Sequence, residues 1–436
     1  MRTRIRALAL GSMCLSLVAQ EKPIAFTHAR ILTMEGAEIP DGTLVVHKGK
    51  VVAAGTVAVP TGAEVRDVKG KWIMPGIVDS HSHVATTGGA DGSAPIQPDV
   101  RISDALNLRS AEVMKARAGG ITSVNVMPGS GHLLSGQTMY LKLREGGTVD
   151  ELAMGRLNGG YLGGLKMANG TNPRRQGPAA GNFPGTRAKS AALVREQFVK
   201  AQEYQRKIKA AGGDASKLPE RNLGLEILVE VLEGKRVVHH HTHRHDDILT
   251  VLRLQKEFGF KVVLHHLSDG WMIADEIAKS GNPCSVIVID SPGGKLEAKD
   301  ARLSTGGALE RAGAVVGFHT DDPITDSRWF LRSAALSVRA GMSREGALKA
   351  MTLNNAKILG LEDRLGSLKA GKDADFVLLS GDPLSIYTHV EETWVEGKRV
   401  FDRANPEHRK YATGGMGASH DSEDPTWILA LEAEEL

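Results

Sequence analysis

The stretch VVHHHTHRHDD, Val237 to Asp247, places five histidines in seven positions and runs directly into DDILTVLRLQKEFG. An affinity tag would sit at a terminus, and a His-rich storage tract would be low in complexity. Val237 and Val238 instead read as the end of a buried strand, followed by a helix that Gly259 closes. Side chains alternate along a strand. His239 and His241 therefore share a face with Val237, while His240 points the other way. A strand that delivers polar groups at its C-terminal end and then enters a helix is the repeating unit of an α/β fold.

Working outward, strand-like segments recur as IMPGIVDSH, TSVNVMPG, TMYLKL, YLGGLKMA, RVVHHH, KVVLHH, CSVIVID and AVVGFHT. Helical patterns lie between several of them, notably SDALNLRSAEVMKARAGG and DDILTVLRLQKEFG. Eight strands with helical crossovers favour a (β/α)8 TIM-like barrel over an open doubly wound sheet. The first strand is not followed by GxGxxG, so a dinucleotide-binding fold has little support. The barrel is expected over residues 76–362, with an insertion at about 169–215. That insertion begins with NGTNPRRQGPAAGNFPGTR and continues as the charged helix SAALVREQFVKAQEYQRKIKAAG. The default for the helix is a solvated place on the barrel's outer surface, while the loop before it, leaving a strand's C-terminal end, could instead cover the active site. Residues 20–75 alternate apolar and polar positions between glycine turns, as do ADFVLLSGD and VEETWVEGKRVFD. Both chain ends are thus expected to build one small β-sandwich domain, from 20–75 and 363–404, leaving 405–436 as a polar, Gly-rich tail.

Arg2, Arg4 and Arg6 precede an apolar run from Ala7 to Ala19, the pattern of a signal peptide over residues 1–19. The run is too short to span a bilayer comfortably. An exported, periplasmic or secreted protein is expected. Without those three arginines, 54 basic against 51 acidic residues become 51 against 51. A neutral chain with 4% aromatic residues offers neither the charge nor the stacking platforms for nucleic acid. Only Cys284 follows the leader, so rigidity must come from a large core or a metal rather than an internal disulfide.

Asp79-Ser80-His81-Ser82-His83 carries the first chemical signal. Two histidines two apart at a strand end point the same way, and neutral imidazoles suit zinc and similar cations. RVVHHH, KVVLHH and GFHTDD place further candidate ligands at the ends of the fifth, sixth and eighth strands.

Taken together, these segments resemble the amidohydrolase superfamily, in particular its imidazolonepropionase-like and metal-dependent prolidase-like branch. The resemblance covers nearly the whole chain after the leader, from IMPGIVDSHSH entering the barrel to GSLKAGKDADFVLLSGDP leaving it. It implies that His81 and His83 are the first-strand ligand pair. HHHTHRHDDI puts His241 at the ligand position of the fifth strand, with His239 deeper and His240 packed. His243 is assigned a catalytic or substrate-touching role, and His245 is solvated. LHHLSDG selects His266 over His265, and His-Thr-Asp-Asp selects Asp321 over Asp322. Lys166, in LGGLKMANG, falls where binuclear members carry a lysine that carbon dioxide converts to a bridging carbamate. The plainer reading is a lysine that binds substrate or packs along the wall.

One or two divalent ions, zinc foremost, are therefore expected. The implied reaction is hydrolysis of a carbon–nitrogen bond in an amide, cyclic amide or dipeptide by a metal-bound hydroxide, with Asp321 moving the proton. Arg174, Arg175, Arg244 and Arg328 follow strand ends and could meet a substrate carboxylate; a solvated arginine is the default for each. The partner is a small molecule, with no membrane span, and homo-oligomerisation is compatible. A mononuclear deaminase of the same superfamily is disfavoured because the HxxE signature is absent: Arg244 follows His241 by three residues and Asp246 follows His243. A catalytically silent binding protein is the remaining alternative.

Overall fold

The computed structural model describes residues 22–88, 91–175, 181–288 and 295–414. The expected leader lies outside them, as does most of the expected tail. Strands β1 (Ile24–Ile31), β2 (Ile39–His47), β3 (Lys50–Gly55), β4 (Glu64–Asp67) and β5 (Trp72–Pro75) precede β6 (Ile77–Ser82), the strand that carries the first histidines. Near the other end lie β15 (Phe376–Leu379), β16 (Val390–Val395) and β17 (Lys398–Asp402). These two groups join in one eight-stranded sheet of order β17-β16-β15-β5-β1-β2-β3, with β4 alongside β1. Antiparallel pairing of β5 with β15, Phe376 opposite Pro75, is the seam between the chain ends. Phe26, Phe376 and Trp394 lock it, with ring centroids 5.0 to 5.4 Å apart. One apolar core gathers residues from both ends around these rings.

A six-stranded sheet forms from β8 (Leu134–Gln137), β10 (Leu165–Ala168), β11 (Val238–Thr242), β12 (Val262–His266), β13 (Cys284–Ile287) and β14 (Val316–His319). From β10 to β14 every neighbour is parallel, and all five strands are fully buried. Parallel sheets need such cover on both faces, which explains their near-continuous apolar and histidine content. The sixth strand, β6, pairs in parallel with β7 (Ile121–Val126) in a separate three-stranded sheet. Its end meets the end of β14, where the Asp321 amide donates to the His81 carbonyl at 3.0 Å.

TMYLKL departs from the expected pattern. It forms β9 (Met139–Lys142), antiparallel to β7, while β8 runs antiparallel to β10. The connection from β7 to β9, residues 127–138, is taken up by the loop MPGSGHL and β8, with no helix to carry a parallel crossover. The helix expected from SDALNLRSAEVMKARAGG shortens to α1 (Ala111–Ala118), because Leu106 is extended and ends a preceding single turn.

The charged helix at 169–215 also differs from expectation. As α2 (Arg187–Ala211) it buries Ser190, Val194, Phe198, Ala201 and Tyr204, a stripe at three- and four-residue spacing. Phe198 stacks on Phe258 and Phe260, each at 5.0 Å. This segment belongs to the crossover that parallel β10 and β11 require, so it is packed rather than merely solvated. The described start of the expected tail is likewise helical, over Pro406–Thr413. Among the described residues, no helix is long and apolar enough to cross a membrane.

Candidate metal centre

Parallel register aligns the strand ends. Ala168 lies opposite His241, His241 opposite His265, and Thr242 opposite His266. From β6 and the turn after β14, His81 Nε2 and His83 Nε2 each lie 3.1 Å from Asp321 Oδ1. Lys166 Nζ stands 2.9 Å from His81 Nε2. His266 Nδ1 is 4.0 Å from the other Asp321 oxygen. The sequence-expected residues His81, His83, Lys166, His266 and Asp321 thus converge. His241, His243 and His266 form an adjoining group whose ligand atoms lie within 4.8 Å of one another. His243 therefore stands among the ligand-type imidazoles rather than outside them, its Nδ1 held 2.8 Å from Ser268 Oγ. His240 faces away, with Nδ1 2.9 Å from the His241 carbonyl.

Two observations test whether these residues fit a cation. His83 Nδ1 lies 2.8 Å from the Met127 carbonyl, which can only accept. Nδ1 must carry a proton, so a neutral His83 directs a lone pair at the Asp321 carboxylate. A shared cation relieves that repulsion. Second, among the described residues, both ring nitrogens of His241 and Nε2 of His266 are buried without a hydrogen-bond partner. Unsatisfied buried polar atoms are costly, and metal ligation satisfies one nitrogen of each ring. The residues fit.

The electrostatics agree. Burial pushes the His81, His241 and His266 imidazoles well below their ordinary value, and His243 to about 3. Neutral imidazole is the ligating form. Burial alone would raise the Asp321 carboxyl; positive charge at the His81 and His266 rings holds it well below the usual range, a role that a cation takes over when those rings are neutral. His266 and Asp321 both adopt left-handed backbone, φ +73° and +51°. Such strain at a non-glycine residue is sustained only where surroundings enforce it, and it clusters at functional sites.

The four arginines expected to meet substrate have other groups as their nearest partners. Arg244 bonds Asp246, and Arg328 bonds Asp326 and the Gly414 carbonyl. Arg174 donates to the Gly170 carbonyl, and Arg175 lies over the Phe183 ring. Arg328 is thereby committed to the C-terminal helix and away from the centre. Sequence reading missed His319, although its signal was present in GFHTDD two residues before Asp321. It also missed Glu297, which accepts from the Thr171 amide at 2.7 Å and lies 3.8 Å from Arg187. No sequence signal links loops 126 residues apart. A cavity of about 310 Å³ beside His240, Arg187 and Arg253 lies on the opposite face of β11 from His241.

The amidohydrolase family model matches residues 221–401. The amidohydrolase tasK of Hapsidospora irregularis is 27% identical over 374 residues, covering 79% of this chain and 38% of that protein. Imidazolonepropionase of Pseudomonas aeruginosa (strain LESB58) is 26% identical over 423 residues, covering 84% of this chain and 98% of the relative. The solved structure of an amidohydrolase from Thermotoga maritima MSB8 is 33% identical with a TM-score of 0.80, covering 87% of this chain and 100% of that one. Likeness at that identity along the relative's whole length makes this chain a member of the amidohydrolase superfamily, and so a hydrolase.

Proposed function

We propose a metal-dependent hydrolase of small amides, cyclic amides or dipeptides, built on a (β/α)8 barrel with a β-sandwich formed by both chain ends. The observation that carries this reading is the convergence of His81, His83 and Asp321 beside His266 Nε2 and the His241 ring, which have no hydrogen-bond partner among the described residues. His81, His83 and Asp321 would hold one divalent cation, and His241, His243 and His266 a second. When bound, such cations lower the pKa of water and polarise a carbonyl oxygen.

The protein's own groups do the remainder. Asp321 accepts the proton from water and returns it to the leaving nitrogen. Lys166, as an ammonium, would repel both cations. Its Nζ would first give up the ammonium proton and then, as the neutral amine, add carbon dioxide and release a second proton, leaving an anionic carbamate in place of the positive charge. Zinc is the foremost candidate. Residues 1–19 act as an export leader, and the mature chain is periplasmic or secreted. Acidic-ended amides are the proposed substrates, met by Arg174 or Arg175 in the loop after β10.

The test joins elemental analysis of the purified protein with an amide panel before and after chelation. One to two metal equivalents and chelator-sensitive turnover are expected. Turnover that survives complete metal removal would overturn the reading, while bound metal without turnover would favour a binding protein. Within the panel, kcat/KM that is unaffected by amidating the substrate carboxylate would refute the acidic preference.

A further inference from the structure

Among the described residues, His266 Nε2 has no hydrogen-bond partner, and it belongs to the ring that faces His241 and His243. For that nitrogen to offer a lone pair, a neutral His266 carries its proton on Nδ1, 3.0 Å from His319 Nε2, which then accepts it. The other nitrogen of His319, Nδ1, lies 2.8 Å from Ser285 Oγ, which can take its proton. Ser285 Oγ lies in turn 2.8 Å from Ser80 Oγ. All four side chains are completely or almost completely buried, so the ring planes are fixed by these contacts.

We propose that His319 is a positioning residue which, through Ser285 and Ser80, holds His266 in the tautomer that offers Nε2 to a divalent cation. The inference rests on the metal-centre reading above and adds the residue that orients one of its ligands. A ligating histidine commonly donates its second ring N–H to a fixed acceptor, and that partner sets both tautomer and ring plane. Here the acceptor is another histidine, whose far nitrogen is held by Ser285.

His319 could instead be a ligand itself, since its ring also groups with His81 and His265. Its contacts argue against this: Ser285 Oγ and His266 Nδ1 engage both ring nitrogens of His319. His265 is turned to a different task, its Nε2 3.0 Å from His239 Nδ1, while His239 Nε2 reaches the Tyr140 hydroxyl at 3.2 Å.

The experiment loads the full chain with cobalt(II) and measures affinity by chelator competition, together with the d–d absorption of the bound ion. His319→Leu removes the acceptor and should weaken one of the bound ions by about 10- to 100-fold, the usual effect of losing an outer-shell partner, and shift its absorption. His319→Gln offers an amide oxygen to His266 and an amide N–H to Ser285, so it should restore most of that affinity. Ser285→Ala frees the His319 tautomer and should give a smaller loss in the same direction.

Affinity and spectrum unchanged in His319→Leu would overturn the proposal. So would loss of a whole metal equivalent in both His319 variants, which would make His319 a ligand. If His319→Leu does not fold, Ser285→Ala decides: weakened binding supports the relay, and unchanged binding overturns it. Wild-type protein that binds no cobalt would remove the metal centre itself, a different failure.

Discussion

Asp321 Oδ1 lies 3.1 Å from His83 Nε2, on the side of the ring opposite the Met127 carbonyl. That geometry turns a carboxylate and an imidazole lone pair toward each other and calls for a cation or proton between them. Asp321→Asn keeps the shape but can neither carry the negative charge nor take up a proton. It should lower kcat by roughly 10²- to 10⁴-fold, the range for losing a general base, and reduce metal content. Steady-state kinetics with elemental analysis checks this. Activity within tenfold of wild type would mean the proton moves through another group.

His240 and His241 are adjacent but face opposite sides of β11. The His241 ring lies among the ligand-type imidazoles and its nitrogens have no hydrogen-bond partner among the described residues, whereas His240 is bonded to a carbonyl. His241→Ala should therefore lose metal and nearly all turnover, and His240→Ala should keep both while losing some stability. Equal metal content in the two variants would show that the assigned faces are reversed.

Much of this centre could be read from the chain because strand alternation and strand ends are local properties. VVHHHTHRHDD declares its faces, and His81, His83, Lys166, His266 and Asp321 all converge as their positions suggested. What escaped was non-local. His319 matters through Ser285 and Ser80, residues with no distinctive sequence signal. The arginines after strands were legible as charges, but their nearest partners were not: Arg328 turns to Gly414, 86 residues away. Antiparallel β9 was missed because periodicity gives a strand's existence but not its direction. The lack of a helical pattern between β7 and β9 is the signal that would have given that direction.

Lys166 is fully buried beside His81. If it bridges two cations as a carbamate, Lys166→Ala should hold one metal equivalent instead of two and lose most turnover. Millimolar formate, acetate or propionate should restore part of both, because a short carboxylate can occupy the space of the carbamate. Two equivalents retained in Lys166→Ala would rule out the bridge.

Gly170 tests the contact between distant loops. It has φ +82°, and an added Cβ would fall 2.5 Å from Glu297 Oε2, the atom that accepts from Thr171. Gly170→Ala meets both the left-handed backbone penalty, about 1–2 kcal/mol, and displacement of the carboxylate. A lower thermal midpoint is expected, with a raised KM and smaller changes in kcat, because the loop follows a ligand-bearing strand. An unchanged midpoint would mean that Glu297 swings aside freely and does not secure the loop.

Asp373 joins the ends of the chain to the strands around the centre. Its carboxylate receives Lys50 at 2.7 Å, Lys142 at 2.8 Å and Arg364 at 3.1 Å, and its side chain is only 3% exposed. Burial alone would raise its pKa, but the Lys142 ammonium and the other two cations outweigh that and bring it from 3.8 to about 2. The folded carboxyl is then more acidic than the unfolded one, so between these values the unfolded chain binds more protons. Stability from this group is complete above about pH 4–5 and is lost as pH falls through about 2. The shift corresponds to about 2 kcal/mol at neutral pH, and to roughly half of that at pH 3. Asp373→Asn removes the charge and leaves Lys142 to Asp375, 2.5 Å away. Urea unfolding of wild type and variant at pH 7 and pH 3 should show a stability gap that narrows in acid. A gap of the same size at both pH values would mean that Asp373 titrates normally and that its three cations act only as hydrogen-bond donors.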